Sequence, residues 1–152
     1  MLCAEMVCYY TYIGKSVYQR LQEIYKTYGY VLDTNVSTQY SGLNAMKEMN
    51  KVVDGLKSVQ VKELAGIPVL AVRDYSADVR TDMATGEKTA LNIPKCNCVY
   101  YELQGGSFIC VRPSGTEPKL KVYYSVKADD QVTAENKLTE LKAAVANLLA
   151  SV

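Results

Sequence analysis

Residues 110–124 read Cys-Val-Arg-Pro-Ser-Gly-Thr-Glu-Pro-Lys-Leu-Lys-Val-Tyr-Tyr, a polar, glycine-containing loop between two apolar, β-branched runs. The loop brings Arg112, Ser114 and Thr116 together, and these residue types suit an oxyanion. A planar guanidinium grips two phosphate oxygens at once, hydroxyls donate to a third, and successive backbone N–H groups of a hairpin-like connection at Ser114-Gly115-Thr116 form one concavity. Gly115 is expected to supply the bend without a Cβ penalty. Pro113 stiffens the approach. On the strand that follows, Lys119 and Lys121 share one face while Leu120 and Val122 take the other, so Lys121 is a secondary candidate for the anion. The same letters also compose an ordinary turn, because Pro, Ser and Gly are standard turn residues.

The rest of the composition narrows the chemistry. The chain has 152 residues, 49% of them apolar and 22% charged, which is ordinary globular usage for one domain's length. A formal net charge of +1 argues against a general nucleic-acid binder. Tyr100, Tyr101, Tyr123 and Tyr124 invite a base-stacking reading, but paired tyrosines on adjacent strands also make cross-strand contacts. The positive excess is local, with Arg112, Lys119 and Lys121 facing only Glu117 within 112–121.

Five cysteines, Cys3, Cys8, Cys96, Cys98 and Cys110, give an odd count without a C-x-x-C pair, and several lie in apolar runs. Cysteine in an apolar run behaves as a small hydrophobe, Cys96 and Cys98 read as buried thiols instead of metal ligands, and a reducing, cytoplasmic setting is the simpler reading. With no histidine, neither a zinc ligand set nor the commonest general base is available. The acidic residues of 75–95 match no calcium motif. No apolar run approaches the ~20 residues that span a bilayer, and Met1–Tyr12 lacks the basic flank of a signal peptide. Gly14-Lys15-Ser16 resembles the end of a nucleotide-binding loop, yet Tyr9 stands where that motif requires glycine.

The elements that must position the loop follow from periodicity. Leu2, Met6, Tyr9 and Ile13 recur at helical spacing up to Gly14. Ser16 and Gln19 have capping-box spacing at the start of a second helix, with Val17, Leu21, Ile24 and Tyr28 as its buried stripe and Gly29 as its end. A strand is expected over 30–39, then a helix near 42–57 with Leu43, Met46, Met49, Val53 and Leu56 inward. Ile67–Asp74 reads as a strand, and 75–95 as a long loop or loose hairpin projecting from the sheet. Strands follow at Cys98–Leu103, Ser107–Val111 and Leu120–Val126, the first two joined by a tight turn at Gln104-Gly105-Gly106. A last helix over about 131–149 buries Ala134, Leu138, Leu141, Val145 and Leu148. The order β-α-β-β-β-β-α, preceded by two helices, predicts an α+β fold, an antiparallel sheet with helices on one face.

Arg-Pro-Ser-Gly-Thr-Glu-Pro-Lys at 112–119 resembles the phosphate-binding loop in the last domain of the α-D-phosphohexomutases, the phosphoglucomutase and phosphomannomutase family. Residues 14–25, Gly-Lys-Ser-Val-Tyr-Gln-Arg-Leu-Gln-Glu-Ile-Tyr, and Val-Arg-Asp-Tyr at 72–75 are similar to its phosphoglucomutase-like branch. The resemblance implies a TATA-box-binding-protein-like last domain over 30–152, with 1–29 the helical tail of the preceding, third domain. It implies that Arg112, Ser114, Gly115, Thr116 and Lys121 bind a substrate phosphate, and that the partners are glucose or mannose phosphates, hexose 1,6-bisphosphate and the upstream domains of the same enzyme. The family's phosphorylated serine, its aspartate-rich magnesium loop and its Gly-Glu-x-Ser-Gly sugar-reading loop do not occur here. The chain therefore reads as a lobe cut from a longer enzyme, with no catalytic residue or metal site of its own, Mg2+ being implied for the full-length enzyme. The alternative is a free-standing phosphosugar- or anion-binding regulatory module.

Overall fold

The computed structural model describes residues 1–152. Two helices open the chain, α1 (Leu2–Tyr12) and α2 (Val17–Tyr28). Their junction is fixed locally. Gly14, at φ +73°, donates its N–H to the Thr11 carbonyl at 3.0 Å, and the Lys15 N–H reaches the Tyr10 carbonyl at 2.9 Å. These two bonds form a Schellman motif, which only a residue at ease with positive φ closes cheaply. Ser16 then starts α2 with a complete capping box: its hydroxyl accepts from the Gln19 N–H at 3.1 Å and its own N–H donates to Gln19 Oε1 at 2.7 Å.

Neither helix buries a residue. The stripe expected to be inward, Val17, Leu21, Ile24 and Tyr28, lies on the surface or only half-covered, with Tyr28 at 71% exposure. Helical spacing reports which side chains share a face but not whether anything covers it.

The remaining elements are β1 (Tyr30–Gln39), α3 (Ala45–Ser58), β2 (Glu63–Leu64), β3 (Ile67–Asp74), β4 (Val79–Asp82), β5 (Lys88–Ala90), β6 (Val99–Leu103), β7 (Phe108–Pro113), β8 (Lys119–Ala128) and α4 (Gln131–Ala150). The strands form one antiparallel sheet in the order β1-β8-β7-β6-β3-β4-β5, with β2 paired to β3. The sheet has eight strands where the sequence indicates five. Residues 75–95 supply two of the extra ones, because the hairpin β4–β5 extends the sheet edge instead of projecting from it. No residue of β4 or β5 is buried, so no apolar alternation marks them.

One face of the sheet carries the core. Val99, Tyr101 and Leu103 of β6, Ile109 and Val111 of β7, and Leu120, Val122, Tyr124 and Val126 of β8 pack against Met49, Val53 and Leu56 of α3 and Leu138, Leu141 and Val145 of α4. The period of 2 in the strands and of 3.6 in the helices is why these residues meet. The inward assignment of Leu43 and Met46 fails: α3 starts at Ala45, leaving Leu43 fully exposed in the preceding turn and Met46 at 38% exposure. Where α3 meets the chain's end the fit is tight, since a Cβ on Gly55 would lie 2.7 Å from that of Val152. The buried-thiol reading also needs correction. Only Cys98 is buried, Cys110 is intermediate, and Cys3, Cys8 and Cys96 are exposed.

The opposite face bears no helix of the body. The strand register lines up Arg80, Arg73, Tyr100, Cys110 and Tyr123 across β4, β3, β6, β7 and β8, with Arg112 opposite Lys121 further along. A register shift between Val69 and Ala71 sets the phase that puts Arg73 on this open face.

Candidate anion-binding site

The loop 114–118 joins β7 to β8 as a hairpin. Its backbone closes on itself, the Ser114 N–H donating to the Lys119 carbonyl at 2.8 Å and the Lys119 N–H to the Glu117 carbonyl at 2.7 Å. A third bond, from the Tyr40 N–H to the Pro118 carbonyl at 2.8 Å, anchors the loop to the end of β1. Loop position is thus set by two neighbouring strands.

This geometry places all five candidate residues around one concavity. A pocket of about 300 Å³ is lined by Arg112, Pro113, Ser114, Gly115, Thr116, Lys121 and Tyr123. Arg112 and Lys121 are directly opposed in the β7–β8 register, so both cations rise from the same face beside the loop. Neither forms an ion pair or a side-chain hydrogen bond. Ser114 Oγ accepts a long bond from the Thr116 N–H at 3.4 Å, which leaves its own proton free to donate. The Gly115 N–H has no acceptor within the protein. The arrangement offers two charges, two hydroxyls and a backbone donor to an anion.

Gly115 does not play the part assigned to it from sequence. Its φ lies outside the left-handed region, and an added Cβ would meet nothing within 4 Å. The fold does not need glycine there; its smallness leaves the pocket open.

Tyr123 was not singled out for this pocket, although its place two residues beyond Lys121 on a strand puts it on the same face. On the far side of Arg112–Gly115 lies a second concavity of about 360 Å³, walled by Met46, Asn50, Cys96 and Asn97. Its members come from α3 and the segment before β6, and no local spacing could have gathered them. Of the four tyrosines, Tyr101 and Tyr124 are core residues, and only Tyr100 and Tyr123 face outward. They form no stacking platform: Tyr100 is occupied by Phe108, with ring centroids 4.8 Å apart, and by Arg73, whose Cζ lies 4.9 Å from the Tyr100 centroid.

The same face carries a second cationic group, which the sequence did not reveal. Glu102 accepts from Arg80 through Nε and Nη2, both at 2.9 Å, and from Arg73 Nε at 2.5 Å. The Arg80 hydrogen bonds, with Arg73 adding to them against partial burial, hold the Glu102 carboxyl below its ordinary range. The charges here satisfy each other and leave less for an outside anion. No group of three or more His, Cys, Asp or Glu side chains is placed to hold a metal ion, so the residues present do not fit a magnesium site. No helix is long and apolar enough to cross a membrane.

Comparison with known proteins agrees with this layout. A family described as phosphoglucomutase/phosphomannomutase, C-terminal domain, matches residues 48–147. The chain is 32% identical over 124 residues to a phosphoglucomutase of Staphylococcus saprophyticus, a match covering 80% of this chain and 22% of that protein. It is 35% identical over 114 residues to a phosphoglucomutase of Staphylococcus aureus, covering 75% of this chain and 20% of the relative. Its fold is similar to the open form of pp63/parafusin, an exocytosis-sensitive phosphoprotein and phosphoglucomutase from Paramecium, with a TM-score of 0.54 at 20% identity over 89% of this chain and 22% of that one. The chain thus spans about a fifth of the length of the relatives it matches. With two thirds of its residues inside the family's C-terminal domain and an antiparallel α+β architecture to match, this chain belongs to the phosphoglucomutase/phosphomannomutase family as its C-terminal domain.

Proposed function

We propose that residues 112–121 clamp a phosphate group of a hexose phosphate, and that the chain is the C-terminal lobe of an enzyme interconverting hexose 1-phosphate and hexose 6-phosphate. The observation that carries this reading is the pocket in which Arg112 and Lys121, free of any carboxylate partner, stand beside the Ser114 and Thr116 hydroxyls and the Gly115 N–H. Arg112 takes two phosphate oxygens in a bidentate pair, Lys121 adds a compact charge, and the loop donors fill the remaining oxygen positions. Such a clamp reads phosphate and not sugar carbon. It therefore suits a reaction in which a bisphosphorylated intermediate turns over and presents either end, because the grip on the non-reacting phosphate is the same in both orientations.

In this reading the lobe holds and orients; the phosphorylated serine and the magnesium site belong to the rest of the enzyme. Residues 1–29 are assigned to the preceding domain and 30–152 to the phosphate-binding unit. The separation is supported by the contrast between α1 and α2, which bury nothing, and the core of 18 residues that lies entirely within 49–145. The exposed apolar side chains of α1 and α2 weigh against a free-standing anion-binding module, since such a face calls for a cover. Isothermal titration with glucose 1,6-bisphosphate tests the clamp, with glucose as control. Saturable heat for the bisphosphate alone, weakening as salt is raised, is the expected result. No heat at millimolar bisphosphate from a folded chain overturns it.

A further inference from the structure

We propose that Cys98 and Cys110 are a redox modification site, closing to a reversible disulfide that includes the strand carrying Arg112. This inference stands apart from phosphate binding and rests on the placement of the two thiols. Their sulfurs are 3.2 Å apart, already in hydrogen-bond contact. Cys110 lies inside β7, where the ladder fixes its neighbours: Tyr100 is opposite on one side and Tyr123 on the other. Cys98 lies one residue before β6, diagonally across from Cys110. A disulfide requires the sulfurs at about 2.05 Å. Closing the remaining gap asks for side-chain rotation and a shift of residues 96–98, which lie before β6 and are tied to Tyr75 by backbone hydrogen bonds of 3.1 and 3.4 Å. No other cysteine pair is recorded in sulfur contact: Cys3 and Cys8 are exposed on α1, and Cys96 is exposed before Cys98.

The pair also divides the chemical labour that disulfide formation needs. The thiol–thiol contact, with the Arg112 charge adding to it against burial, draws the Cys110 thiol below its usual range, while the same contact and burial push Cys98 up. Cys110, the less buried of the two, is the sulfur an outside oxidant reaches first, which makes it the attacking sulfur and Cys98 the resolving one. Hydrogen peroxide is small enough to reach the half-buried Cys110. The Cys110 thiolate attacks one peroxide oxygen, an S–O bond forms, the O–O bond breaks, and the departing hydroxide takes up the thiol proton as water. The Cys98 sulfur then attacks Cys110, the S–O bond breaks, and hydroxide leaves with the Cys98 proton as a second water. Two thiols and one peroxide become one disulfide and two waters; the sulfurs lose two electrons and the peroxide oxygens gain them. A dithiol reductant reverses the bond by thiolate attack and exchange.

The test is a disulfide map of the chain after about one equivalent of hydrogen peroxide and alkylation of remaining thiols. Trypsin is unsuitable, because Arg112 precedes Pro113 and the segment between Lys95 and Lys119 stays whole; chymotrypsin separates Cys98 from Cys110 by cutting after Tyr100, Tyr101 and Phe108. The expected result is a linked peptide pair joining the segment of Cys98 to that of Cys110, with a mass loss of about two hydrogens that dithiothreitol restores. The linkage should persist in Cys96→Ser and vanish in Cys110→Ser. Cys110 recovered as free thiol or as sulfinic acid from natively folded chain, or a link that disappears in Cys96→Ser, would overturn the proposal. Cys96 and Cys98 share one chymotryptic segment, so backbone fragmentation of the linked pair between these two residues assigns the partner of Cys110 in the unsubstituted chain, and the outcome does not depend on a variant folding.

Discussion

Two cationic clusters sit on the open face of the same sheet, and they differ in what neutralises them. Arg73 and Arg80 converge on Glu102, which accepts from both at hydrogen-bond distance. Arg112 and Lys121, opposed in register two and three strands away from Arg73, have no carboxylate between them. The first cluster ties β3, β4 and β6 together; the second rises beside an open loop of hydroxyl and amide donors. Arginine alone therefore does not mark an anion site. Arginine left unpaired beside further donors is the stronger candidate, because a fixed cation without an internal partner keeps its binding capacity for an outside one.

That contrast can be broken or sharpened by substitution. The largest effect is expected for Arg112→Ala, which removes a bidentate phosphate contact. Affinity for glucose 1,6-bisphosphate, read by calorimetry, should fall by about 2–3 kcal/mol, roughly 30- to 150-fold, while the melting transition stays within about 0.5 kcal/mol of the parent. Glu102→Gln should do the opposite. It leaves two arginines facing each other with one uncharged amide oxygen in place of their carboxylate, costing about 1–3 kcal/mol of stability in denaturant titration, with bisphosphate affinity unchanged.

The Glu102 effect carries a pH signature. Its folded carboxyl is depressed below the unfolded one, chiefly by the Arg80 hydrogen bonds, so its contribution is fully present above the unfolded value and lost as pH falls through the folded value. The stability gap between parent and Glu102→Gln should be constant from neutral pH to about pH 5 and close progressively below about pH 4. A gap that widens in acid would refute the pairing as drawn.

The smallest change is expected for Gly115→Ala. With no positive φ to satisfy and open space at the Cβ position, the fold should be unaffected or more stable by about 0.4–1 kcal/mol. Bisphosphate affinity should nevertheless drop severalfold, because the new methyl enters the pocket.

Which parts of this were legible in the sequence follows from the physics of each signal. Local devices read true: the Ser16–Gln19 capping box and the Gln104–Gly106 turn, with φ of +84° and +80° at Gly105 and Gly106, depend on a few adjacent residues. The core alternation of β6, β7 and β8 was equally plain, because burial imposes a period of 2. The hairpin β4–β5 escaped because a polar edge strand buries nothing. The stripe of α2 is exposed for the converse reason, since periodicity encodes a face and never its cover. The Arg73–Glu102–Arg80 cluster was invisible because the strand irregularity near Leu70 sets which way Arg73 points, and no pattern in Pro-Val-Leu-Ala-Val announces it. Residues 112–121 share one loop and one hairpin, so the sequence itself brings them together, whereas Asn50 and Asn97, which wall the second concavity behind Arg112–Gly115, meet only through tertiary folding.

The most direct test of the central claim is an amide NMR titration of the chain with glucose 1,6-bisphosphate, with glucose as control and Arg112→Ala alongside. The account predicts saturable shifts confined to 112–121 and the adjoining Tyr123, absent with glucose and absent in the variant. Shifts centred on Arg73, Arg80 and Glu102, or none at millimolar bisphosphate, would contradict it.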